Sequence, residues 1–308
     1  MPKILYIAGL GRSGTTILSN LLGQVPEWAS VGELHNVWHA LIDDRPCGCG
    51  EKLRDCAVWQ RAFDAGFGAL DKVDLLRARK ANTVCRTRNI RHILRMVRES
   101  RMIADCEYAP FMKGLYDGLV AATGAQVIVD STKDPAHALV AAELTDYEVY
   151  VLHIVRDPRG VAYSWKQRRK GVPAQGGGAL TWKFSYVGST VMWQVDNTLL
   201  ARQVRSAVGQ DRYLRLQYEA FAAQPKLVLD EIFEFVGEPT APRPVIDGDV
   251  FEMEPTHTAS GNHNRFTTGQ TQIRLDTKWR SVMPRRSVFA ISLLAYPTLR
   301  SMGYHWWR

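Results

Sequence analysis

The stretch GLGRSGTT, Gly9 to Thr16, follows directly on the apolar run ILYIA, Ile4 to Ala8. A strand that turns through glycines into a helix points backbone N–H groups and a positive helix end at an anion. Gly11 and Gly14 permit close approach, Ser13, Thr15 and Thr16 add hydroxyls, and Arg12 adds a fixed positive charge. Thr15 stands where an ATP- or GTP-binding loop of this spacing carries its lysine. The expected ligand is an anion gripped without that lysine.

Two more polar clusters follow apolar runs. STKDP, Ser131 to Pro135, comes after QVIVD, and Pro135 suits the first turn of a helix with Lys133 presented just before it. VRDPRGVAYSW, Val155 to Trp165, puts Arg156 at a strand end and Ser164 about two turns into the next helix, so both can address a separate anion. Taken alone, Lys133 also fits a solvated charge and Arg156 also fits pairing with Asp157. Asp130, ending a short apolar run, would hold Mg²⁺ if the protein were a P-loop kinase or nucleotide hydrolase using Mg-ATP.

These clusters need a scaffold. Apolar runs at Ile4–Ala8, Val127–Val129, Tyr150–Val155 and Tyr213–Leu216 read as strands. Helical patterns cover Thr15–Gly23, Met112–Ala122, Pro135–Leu144, Arg159–Arg169, Ala179–Val208 and Pro225–Val236. The alternation predicts an α/β fold, a P-loop-type parallel sheet with helices on both faces. Ligands of such sheets bind beyond the carboxyl ends of the strands, where all three clusters fall. A single domain over residues 1–308 is expected, with a helical insertion over 46–112 as its acceptor-facing cover. The glycines Gly176, Gly177 and Gly178 read as a loop tip.

The chain of 308 residues is 46% hydrophobic and 23% charged, with a net charge of +8. Nine Lys or Arg and one acid, Glu99, lie between Arg77 and Arg101. Arg88, Arg91, Arg95 and Arg98 share helical spacing, which reads as a solvated face or as a docking face for an acidic carrier. Without interleaved aromatics it does not suggest nucleic acid. No signal-like segment or membrane-length apolar run is evident, VFAISLLA (Val288–Ala295) being too short, so a cytoplasmic protein is expected. Five cysteines then read as reduced thiols. Cys47, Cys49 and Cys56 lie close together, but Cys-x-Cys without a fourth ligand is a weak zinc pattern, and a compact structural loop with no metal is expected. Tryptophans such as Trp38, Trp59 and Trp193 suit either an acceptor pocket or core.

The RSGTT loop from Arg12, the KDP turn from Lys133 and the RDPR segment from Arg156 with Ser164 together resemble sulfotransferases that use 3′-phosphoadenosine 5′-phosphosulfate (PAPS). The similarity is greater to bacterial sulfotransferases and the related tyrosylprotein sulfotransferases than to the cytosolic steroid/phenol group. It implies transfer of a sulfuryl group from PAPS to an acceptor hydroxyl, with PAP as product and no metal required. The acceptor would be a small molecule, glycan, lipid or peptide tyrosine. By resemblance Arg12, Ser13, Gly14, Thr15 and Thr16 hold the 5′-phosphosulfate, Arg156 and Ser164 the 3′-phosphate, and Tyr218 in LQYE lies near the adenine. Arg265 in GNHNRF would be a second 3′-phosphate clamp, and Thr277 in TKWR would reach the 5′-phosphate. Glu33 in VGEL would be the general base, with Lys133 and Arg12 offsetting charge on the leaving phosphate. Tyrosylprotein sulfotransferases carry a second glutamate where this chain has Leu34, so His35, His39 and His153 stand as reserve bases.

Overall fold

Strand β1, Lys3–Ala8, is buried from Ile4 onward because it lies mid-sheet with a neighbour on each side. The computed structural model describes residues 1–99, 101, 105–168, 185–244 and 249–306. Around β1 run β2 (Trp28–Gly32), β3 (Val127–Lys133), β4 (Glu148–Val155) and β5 (Tyr213–Gln217), in the order β2-β3-β1-β4-β5. Every neighbouring pair is parallel, with Ile4 opposite Ile128 on one side and Val149 on the other.

Alternation along β1 divides the core. Ile4, Tyr6 and Ala8 face a layer containing helices Ala57–Phe67, Ala109–Thr123 and Pro135–Ala142. Leu5 and Ile7 face α1, Thr15–Leu22, and the helix Pro225–Val236. The sheet is thus covered on both faces, as continuous apolar strands require. Trp38, Trp59 and Trp193 are fully buried core residues. In its described residues the region 46–112 carries helices Ala57–Phe67, Leu75–Val84 and Ile90–Arg98, followed by the start of Ala109–Thr123. Ile93 and Met96 point inward, while Arg88, Arg91, Arg95 and Arg98 are exposed.

The sequence reading needs three corrections. It passed over β2, whose WASVG carries small residues at three of five positions and too little apolar signal. It ended β3 at Val129, whereas the ladder continues through Asp130 to Lys133. It omitted the antiparallel pair β6 (Val250–Met253) and β7 (Gly269–Gln272). The long helix expected over 179–208 is present in its described part, as Tyr186–Leu199, a π-turn at Leu200–Val204 and a last turn Arg205–Val208. Gly176 to Gly178 and the start of that helix lie outside the described residues.

β2 is an edge strand, and its outer side is covered. Ala259 N–H donates to Val31 O and Glu33 N–H to Ser260 O, both at 2.9 Å. No described helix is long and apolar enough to cross a membrane.

Candidate functional site

Because the five strands are parallel, their carboxyl ends share one edge of the sheet. Glu33 follows β2, Lys133 ends β3, the Gly9–Gly14 loop follows β1, Arg156 follows β4 and Tyr218 follows β5. In strand order the edge therefore reads Glu33, Lys133, loop, Arg156, Tyr218.

The loop is built by steric necessity. A Cβ on Gly9, at φ 131°, would stand 2.2 Å from Ile154 O on the neighbouring strand. Gly14 caps α1 with φ 82°, and the Tyr218 ring packs against it so closely that a Cβ there would lie 2.7 Å from the ring. Ser13 and Thr15 are buried, and Thr16 is half-buried. Arg12 also has a left-handed backbone, φ 82°, and so does Lys133, φ 74°. Such geometry costs a side-chain-bearing residue about 1–3 kcal/mol and concentrates at functional sites. Among the described residues only four non-glycines adopt positive φ, and two of them are candidate site cations.

On the β4–β5 side, four expected residues converge. Arg12 Nε donates to Ser164 Oγ at 2.8 Å. Arg156 donates to Arg12 O at 2.9 Å, and its guanidinium stacks 4.5 Å above the Tyr218 ring. Its other amine meets both Asp276 O and Asp276 Oδ2 at 3.0 Å. Asp157, the local acid considered as its partner, instead takes Arg159. Partial burial pushes the Asp276 carboxyl up, but the hydrogen bond and charge of Arg156 hold it below the ordinary aspartate value. Arg156 thus already grips one anion. Thr277, next to Asp276, is exposed, and its side chain makes no capping bond at the helix it precedes.

On the β2–β3 side, Lys133 Nζ lies 2.5 Å from Glu33 Oε1 and Asn36 Nδ2 donates to Glu33 Oε2 at 3.0 Å. The pair is largely buried, the side chains being 12% and 21% exposed. Asp134 fixes the turn after Lys133 by accepting from Ala136 N–H at 3.0 Å.

Arg265 does not join Arg156. Its guanidinium donates to Thr258 O and Pro46 O, each at 2.7 Å, at the Glu33 end of the edge. The segment holding it is tied to the β2 end, three strand positions from β4, which Arg156 follows, and among the described residues no contact joins the two arginines.

Of the reserve bases, His35 and His153 are buried and His39 is half-buried. His153 is fully buried between Tyr213 and Asn197, and burial pushes it down to about 4. His35 is buried, and burial followed by the Arg86 charge pushes it well below the ordinary histidine value. His39 is lowered by burial and then by Arg79.

Asp130 is 1% exposed and accepts from Tyr116 OH and Thr132 N–H, each at 2.8 Å. Burial pushes it up to about 6. A carboxylate enclosed in the ladder is poorly disposed toward a metal at the mouth. Sequence reading missed Asn36 and Asp276. Each sits near an element end, and only the fold joins Asp276 to a residue 120 positions away.

The family model described as "Sulfotransferase family" matches residues 2–242. Carbohydrate sulfotransferase 5 of Mus musculus is 26% identical over 164 residues, covering 50% of this chain and 41% of the mouse protein's length. The fold resembles the sulfotransferase domain from the curacin biosynthetic pathway, with TM-score 0.55, 17% identity and 99% of each chain covered. It also resembles the sulfotransferase domain of the Synechococcus PCC 7002 olefin synthase, with TM-score 0.54, 21% identity, and 96% and 95% covered. With a family match across most of its length, the chain belongs to the sulfotransferase family.

Proposed function

We propose that this protein transfers a sulfuryl group from PAPS to an acceptor hydroxyl. The observation that carries the reading is the order along the sheet edge: an anion loop flanked by a lysine–carboxylate pair on one side and an arginine stacked on tyrosine on the other. The donor set fits PAPS, because Arg156 binds a carboxylate in the way it would bind a phosphate. Bound PAPS supplies the sulfuryl group and leaves as PAP with the electrons of the broken S–O bond. Arg12 and the loop hydroxyls hold the 5′ end, while Arg156 and Ser164 hold the 3′-phosphate beside Tyr218.

Glu33 takes the acceptor's hydroxyl proton as the oxygen attacks sulfur. For that, the Lys133–Glu33 contact must open, which releases the ammonium to offset charge on the departing phosphate. Arg265 serves in this reading as a brace behind Glu33 and not as a phosphate clamp. The Mg-ATP alternative is disfavoured by the enclosed Asp130. The acceptor class follows from the names of the relatives only as a starting point, with carbohydrate hydroxyls first. Transfer of radiolabelled sulfur from PAPS to a panel of glycan, lipid, phenol and small-alcohol acceptors tests the reading. Transfer abolished by Glu33→Gln supports it, and labelled phosphate moving from ATP instead overturns it.

A further inference from the structure

Three thiols and an imidazole meet beside the Glu33 end of the edge. Cys49 Sγ lies 3.9 Å from Cys56 Sγ, and Cys56 Sγ lies 3.3 Å from His257 Nδ1. With Cys47, the four donor atoms all fall within 4.8 Å of one another. Zinc bonded at ~2.3 Å to sulfur and ~2.0 Å to nitrogen would give tetrahedral edges of about 3.8 Å and 3.5 Å. The Cys49–Cys56 and Cys56–His257 separations lie close to those values.

The surroundings hold the two segments in register. Cys47 N–H donates to Glu51 O and Gly50 N–H to Cys47 O, folding CGCG into a tight loop. Gly48 N–H donates to Thr258 O at 2.9 Å, and Trp59 Nε1 to His257 O at 2.9 Å. Arg265 spans both sides through Pro46 O and Thr258 O. Cys47 and Cys56 are buried, Cys49 is half-buried and His257 is exposed, so an ion has an approach from the histidine side.

We propose that Cys47, Cys49, Cys56 and His257 bind a single zinc ion as a closed structural site. Three sulfurs and one nitrogen select zinc over magnesium, calcium or manganese. Four protein donors leave no open position, so the ion takes no part in sulfuryl transfer. Binding releases the thiol protons and locks the cysteine loop to a segment some 200 residues later in the chain. Ser260, three residues beyond His257, accepts the backbone N–H of Glu33. The ion therefore fixes the turn that presents Glu33. The sequence reading found no fourth ligand because His257 is remote in sequence and isolated from any metal-like spacing.

The test uses the untagged chain, expressed with zinc in the medium and purified under reducing conditions. Elemental analysis should give about one zinc per chain, and cobalt exchanged into the chelator-stripped protein should show the visible bands and sulfur charge-transfer absorption of tetrahedral thiolate coordination. His257→Ala, at an exposed position, should retain zinc at least ~10-fold less well under chelator competition while keeping its circular dichroism. Cys49→Ser should do the same, and His257→Cys should restore retention. A folded wild-type chain that holds no zinc and gives no cobalt spectrum overturns the proposal. So does a Cys49–Cys56 disulfide in the chain freshly isolated under reducing conditions, read as a mass two hydrogens lower.

Discussion

Lys133 Nζ and Glu33 Oε1 stand 2.5 Å apart, joining the carboxyl ends of adjacent parallel strands 100 residues apart in sequence. The pair puts a carboxylate and an ammonium together on one side of the Gly9–Gly14 loop.

Glu33→Gln should lower kcat by about 10²–10⁴-fold, the usual worth of a general base. Affinity for PAP should change little, because Glu33 lies across the loop from Arg156. Lys133→Ala should lower kcat by about 10²–10³-fold. Steady-state kinetics alongside PAP titration separate these outcomes, and a loss confined to PAP binding would move Glu33 out of the chemistry.

Asp276 occupies the fork of Arg156. Since the carboxylate is partly exposed, the ion pair is worth only a fraction of its Coulomb energy, ~0.3–1 kcal/mol. Asp276→Asn should therefore tighten PAP binding about two- to five-fold. Weaker binding would mean that Asp276 positions Arg156 and does not compete for it.

Gly14→Ala combines a left-handed φ with collision against the Tyr218 ring. It should cost about 1–2 kcal/mol of stability and weaken PAP binding, with both effects read from thermal melts with and without PAP. A melt unchanged in both states would show that the ring moves aside freely.

Asp130 provides a pH test that also separates two enzyme classes. Its carboxyl is raised by burial from an ordinary 3.8 to about 6. A raised folded value means the protonated form is favoured in the fold. The stability it contributes is complete below about pH 4 and is lost as pH rises through 6, at most on the order of 3 kcal/mol. The difference in unfolding free energy between wild type and Asp130→Asn should shrink or reverse across that window. Sulfuryl transfer should survive the substitution, whereas a Mg-ATP enzyme relying on Asp130 would be inactivated.

Arg91, Arg95 and Arg98 are exposed on the helix Ile90–Arg98. If an acidic carrier docks there, Arg91→Glu with Arg95→Glu should raise the acceptor KM by about ten-fold at low salt and less at high salt. The KM for PAPS should stay constant. An acceptor KM indifferent to both charge and salt would make this a solvated face only.

The parallel sheet was legible because β1, β3, β4 and β5 carry apolar runs, and the loop because its glycines and hydroxyls follow one directly. β2 was not, since Trp28-Ala-Ser-Val-Gly derives its strand character from pairing with β3 and not from its own side chains. The grouping of Arg12, Arg156 and Tyr218 follows from their common placement at strand ends, and Ser164 reaches it from the helix Pro158–Arg168. The motif around Arg265 says nothing about which strand its segment follows. That is decided by backbone bonds from Ala259 to Val31 of β2 and from Glu33, just beyond β2, to Ser260. Asp276 and His257 are distant in sequence from what they touch, and local spacing carries no trace of such contacts.

The central claim is that the edge holds PAPS, and calorimetric titration of PAP against ATP, each with and without Mg²⁺, tests it most directly. The account predicts metal-independent binding of PAP, much tighter than ATP, and its loss by at least ~10-fold in Arg156→Ala, where a charge-assisted phosphate contact disappears. Tighter, Mg²⁺-dependent binding of ATP, indifferent to Arg156→Ala, would contradict it.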